Sequence, residues 1–155
     1  MSKLAALIND YLAGPRWLRE AVRGLTREQV LARPIAGKWS TLEVVCHLAD
    51  FDPIYADRMK RVLAEERPAL IGADEQRFAA ALHYHDRDLE EELGIIEATR
   101  SQFAKILRRL PDAALERVGM HSERGPCTLE QLLTMIIQHI PHHVKFIEEK
   151  RRALH

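Results

Sequence analysis

Apolar residues recur at helical spacing along nearly the whole chain, and no segment alternates apolar and polar residues at the period of a strand. This pattern restricts the fold more than any other feature. Leu4, Leu7, Ile8, Tyr11, Leu12, Leu18, Ala21 and Val22 form one stripe, predicting a helix from about Lys3 to Arg23. Gly14-Pro15 interrupts it, and a kink or break is expected there. A short helix follows Thr26. The second long helix is expected from Ser40 to near Glu66, with Pro53 kinking it near His47. The third occupies roughly Glu75 to Leu110, with a break expected between His83 and Asp88. The last runs from Thr128 to about Arg152.

Three S/T-x-x-E/Q boxes mark helix starts: Thr26 to Gln29, Ser40 to Glu43 and Thr128 to Gln131. In each, the hydroxyl accepts from an orphan backbone N–H and the Glu or Gln reaches back to the cap. Residues 34–37, 68–74 and 118–126 read as connections. Four long amphipathic helices without strands predict an all-α four-helix bundle, residues 1–155 forming one domain.

Bulk properties narrow the function. The 23 basic and 23 acidic residues cancel, which argues against a dedicated nucleic-acid binder. The basic runs at Arg108-Arg109 and Lys150 to Arg152 fall at expected helix ends, where cations complement the helix dipole. No apolar run reaches the length of a membrane span, and Met1 to Ala6 lacks the apolar core of a signal peptide. Two cysteines, Cys46 and Cys127, form no disulfide framework, so a reducing cytoplasm is the expected compartment. No P-loop, GxGxxG or Ser-His-Asp arrangement is present.

Chemistry concentrates in the segment Gln138 to His143. His139 and His143 lie four residues apart on an expected helix, hence on one face, where two imidazoles can hold one metal ion. No Glu follows the first His, so the metalloprotease pattern lacks its base. Pro141, between them, removes one backbone N–H and frees the carbonyl of Ile137. Of the eight histidines, His83 and His85 read as surface residues, His142 points about 100° away from His143 on an ideal helix, and His155 is terminal. His47, in Cys46-His47-Leu48-Ala49-Asp50, is the leading third ligand if its helix neighbours the last one. A lone histidine on an apolar face is more commonly a hydrogen-bonded core residue. His121 is a further candidate. Asp50 either orients His47 or is solvated. Three neutral imidazoles leave positions open for water or substrate, as a catalytic site requires.

These residues resemble the DinB/YfiT-like superfamily of bacterial four-helix-bundle metalloproteins. Gly37 to Glu43 leading into His47-Leu48-Ala49-Asp50 looks like that family's start of helix two. Arg100 to Pro111 is similar to its third helix, His121 to Leu129 to the loop opening helix four, and His139 to Ile147 to its closing H-x-x-H-H motif. The resemblance implies a divalent metal on His47, His139 and His143, with Zn or Ni foremost and Fe, Co or Mn as alternatives. The family often places Gln or Arg directly after the final His; here Val144, Lys145 and Phe146 follow. It further implies a thiol-dependent S-transferase, acting on a low-molecular-weight thiol and an electrophile, slightly ahead of a metal-dependent hydrolase. A helical stress or interaction protein with a structural metal or none is the non-enzymatic alternative. A homodimer is expected by analogy, through an apolar flank of the first helix.

Overall fold

A computed structural model describes residues 1–155. Four long helices dominate: α1 (Lys3–Val22), α3 (Thr41–Ala64), α5 (Leu89–Leu107) and α6 (Leu129–Ala153). Two short ones, α2 (Arg27–Leu31) and α4 (Glu75–Ala81), lie in the connections. Around the bundle the neighbours run α1, α6, α3, α5 and back to α1. Chain order therefore crosses the bundle diagonally twice, from α1 to α3 through α2, and from α5 to α6. The result is that α3 and α6, far apart in sequence, pack side by side.

All three capping boxes form. Thr26, Ser40 and Thr128 each accept from the backbone three residues on, and Gln29, Glu43 and Gln131 reach back to the caps. The break in the third helix also forms: α4 ends at Ala81, and a 3-10 turn over Tyr84–Asp86 precedes α5.

Two expectations are corrected. The first helix does not break at Gly14-Pro15; α1 runs through it, as α3 runs through Pro53 and α6 through Pro141. In α1 the reason is visible. Pro15 has no N–H for the carbonyl of Tyr11, and Arg100 Nη1 donates to that oxygen instead, at 2.8 Å. Gly14 is small because Arg100 passes there: a Cβ would stand 2.8 Å from Nη1. The second correction concerns strands. Residues expected as plain connections form a small sheet, in which β1 (Ala69–Leu70) pairs parallel to β2 (Val118–His121) and β2 antiparallel to β3 (Gly125–Thr128). Elements of two to four residues are too short to show a period. No helix is long and apolar enough to cross a membrane.

The interior holds two large apolar clusters. One gathers Leu4, Tyr11, Met59, Phe103, Leu133 and Ile136; the other Leu18, Val45, Leu48, Ile96, Ile140 and Ile147. Between them, in α3 and α5, stand Asp52 and Arg100, both essentially without solvent contact. Arg100 Nε and Nη2 hold the Asp52 carboxylate at 2.8–3.1 Å, and Nη2 also donates to the Ile136 carbonyl at 3.0 Å. The guanidinium lies 4.7 Å from the Tyr11 ring centre. One side chain thereby ties α1, α3, α5 and α6 together. The carbonyl of α6 taken up in this way is Ile136, next to the Ile137 carbonyl that Pro141 frees.

Candidate metal centre

His47 stands early in α3, on the turn after its capping box, and points toward α6. His139 and His143 project from α6 one turn apart, on the face turned to α3. The three imidazole centres are mutually 4.8 Å apart. One nitrogen from each can be chosen so that all lie within 4.8 Å of one another. His47 Nε2 and His139 Nε2 are 2.9 Å apart. The diagonal topology places the expected trio together because it makes α3 and α6 neighbours.

Aromatic side chains fix His47. Trp39, from the turn before α3, has its ring 5.3 Å from the imidazole centre, and Phe51, one turn on, lies at 4.7 Å. His47 is buried, while His139 and His143 are partly so. Desolvation holds all three imidazoles neutral. It lowers His47 to about 4, a little offset by Asp50. It lowers His139 and His143 further, and the charges of their histidine neighbours add to that lowering. Neutral imidazole is the form that binds metal.

The donor set fits a divalent transition ion on the chain's own terms. Buried polar atoms that serve stability are nearly always hydrogen-bonded. Here the Nε2 atoms of His47 and His139 have only each other within hydrogen-bond distance. The Nε2 atoms face each other, where only one proton can be shared. Two nitrogens each about 2 Å from a common ion stand about 3 Å apart, close to the spacing found. Three nitrogen donors suit zinc, nickel, iron or cobalt rather than magnesium or calcium.

A carboxylate borders the trio. Glu75, in the first turn of α4, places Oε2 3.6 Å from His47 Nε2. Asp74 caps this helix by accepting from Gln76 and Arg77 N–H, and Phe78 anchors it on Phe51 with ring centres 5.4 Å apart. Glu75 belongs to none of the sequence motifs. It is one of 23 acidic residues, and only its position against His47 distinguishes it.

The other candidates separate from the site. Asp50 does not touch His47; both its oxygens pair with Arg87, at 2.6 and 3.0 Å. His121 ends β2, where its Nδ1 accepts from the N–H groups of Glu123 and Arg124, tightening the hairpin turn. Cys46 is buried, with its thiol on the Tyr84 carbonyl, and burial pushes that thiol up to about 12. Cys127, in β3, is buried as part of the larger apolar cluster. His85 joins Arg33 on the buried Glu43 carboxylate.

The sequence from residue 11 to residue 147 matches the profile of the DinB superfamily. The chain belongs to that superfamily. Among its curated relatives is one from Oceanobacillus iheyensis, provisionally named a metal-dependent hydrolase. It is 30% identical over 140 residues, covering 90% of this chain and 81% of the relative. YfiT of Bacillus subtilis, with the same provisional name, is 29% identical over 141 residues, covering 90% of this chain and 79% of YfiT. The solved structure of YfiT superposes with a TM-score of 0.90 at 28% identity, over 99% of this chain and 90% of that one. It is described as a probable metal-dependent hydrolase with an unusual four-helix bundle topology.

Proposed function

We propose that this DinB protein is a metal-dependent hydrolase, with His47, His139 and His143 as ligands and Glu75 as general base. The position of Glu75 carries this reading, and the names of the relatives are consistent with it. His47, His139 and His143 would hold a divalent cation, which when bound would supply Lewis acidity and lower the pKa of a water at the site. The chain does the rest. Trp39 and Phe51 clamp His47 so that the ligand geometry is set before binding. Glu75, half-exposed beside His47 Nε2, accepts the proton of the attacking water and delivers it to the leaving group.

Glu75 reverses the order of preference drawn from the sequence, where thiol transfer stood ahead. A thiol with a pKa near 8.5 ionises readily beside a cation and needs no base. A neighbouring carboxylate repels the resulting thiolate. Water is far less acidic and gains from a base within reach.

The test uses p-nitrophenyl acetate as a chromogenic probe with the zinc-loaded protein. Glu75→Gln is expected to lower turnover by about 100-fold or more while metal content stays at one ion per chain. Unchanged turnover would remove Glu75 from the chemistry, and loss of metal would make it a ligand instead. A thiolate charge-transfer band on adding glutathione to the cobalt-loaded protein would restore the S-transferase reading.

A further inference from the structure

The cavity opening beside His143 contains a positive charge that the proposed hydrolysis leaves unused. It encloses about 480 Å³ and is walled on one side by Trp39, Val44 and Phe146. That volume is in the range of small-molecule sites, and the rest of the lining is polar. Its polar wall includes Lys150, seven residues beyond His143 on α6.

Lys150 is only 4% exposed. Its ammonium donates one long hydrogen bond, 3.4 Å, to the carbonyl of Phe146 one turn back, and lies 5.8 Å from the Phe146 ring centre. No carboxylate stands within ion-pair distance of it. Burial pushes the ammonium below the ordinary lysine value; Glu149 and Glu43 act against this from a distance, and Lys38 adds to it. Lysines near helix ends normally extend their charge into water. Burying an ammonium without an anion costs stability. The neighbouring Arg151, by contrast, is used in the fold, donating to the carbonyls of Ala21 and Arg23.

We propose that Lys150 seats a carboxylate group of the substrate, placing the substrate's apolar part against Trp39 and Phe146 and its reacting bond at the histidine trio. This rests on the hydrolase reading for the reacting bond, but not for the carboxylate. Lys38, on the same cavity, assists. Glu75 and Glu149 border it too, and they disfavour a dianionic phosphate more than a singly charged carboxylate. Lys150 is thus a binding residue that sets specificity, separate from the catalytic groups.

The test titrates 3-phenylpropionate and its neutral amide, 3-phenylpropanamide, into the protein as purified and again after chelation, by calorimetry. The carboxylate is expected to bind about tenfold tighter or more than the amide in both states, as loss of a charged hydrogen bond implies. Lys150→Met and Lys150→Gln are each expected to erase that preference without changing metal content. Equal binding of the two probes, or no binding of the carboxylate at millimolar concentration, overturns the proposal without any variant. A preference that survives Lys150→Met, or that vanishes on chelation, also overturns it by placing the carboxylate on the cation. A preference that depends on Lys150 and persists after chelation supports it, even in a protein that hydrolyses nothing, a result that would sink the hydrolase reading alone.

Discussion

Two buried polar groups sit five residues apart on α3, and they are treated in opposite ways. Asp52 meets Arg100, whose three guanidinium nitrogens all donate, to Asp52 and to the carbonyls of Tyr11 and Ile136. His47 meets His139 and His143, with two Nε2 atoms face to face that can share only one proton. The first group resolves its own charge and holds four helices. The second has donors in excess of anything the chain supplies. Buried polar groups fully satisfied from within belong to the architecture; those left short mark where a ligand belongs.

The largest effect expected from this contrast is at Arg100. Arg100→Ala leaves a buried carboxylate unpaired and the Tyr11 carbonyl without a donor, and should destabilise the fold by about 3–5 kcal/mol. Chemical denaturation measures it; a loss below 1 kcal/mol would mean the pair does not tie the bundle as described. The histidines respond to acid instead. Their folded-state pKa values are lowered from about 6.5 in the unfolded chain, His47 to about 4. The stability this confers is complete above pH 6.5 and is lost as pH falls toward 4. The metal-free protein should therefore lose melting temperature steadily through that window, more steeply than a His139→Leu variant. Parallel curves would show that the trio is not held neutral by burial. The smallest effect is expected from His47→Leu in the metal-free protein. Removing an unsatisfied buried nitrogen should leave stability within about 1 kcal/mol of the parent, or raise it. A large loss would place His47 with Arg100 among the architectural residues.

The helices were legible because amphipathic stripes and capping boxes are local signals. The three histidines were legible too, through the one-turn spacing of His139 and His143 and the motif around His47. Arg100 was within reach: it falls on the stripe of Ile96, Phe103 and Leu107, where a charge demands a partner, and Asp52 falls on the stripe of Ala49 and Met59. Their pairing depends on which helices adjoin, and that is a property of the connections. Glu75 had no local signature, since its position beside His47 comes from α4 docking through Phe78 onto Phe51. The small sheet escaped because its strands are held by pairing rather than by period. Pro15 signalled a break that Arg100 prevents from across the bundle.

The central claim is that the three histidines form one metal site. It is tested most directly by elemental analysis and zinc titration of the parent and of His47→Ala, His139→Ala and His143→Ala, each checked for helical content. One divalent ion per chain in the parent, and at least about a tenfold loss of affinity in each folded variant, is the expected result. Undiminished metal binding in all three variants would contradict it.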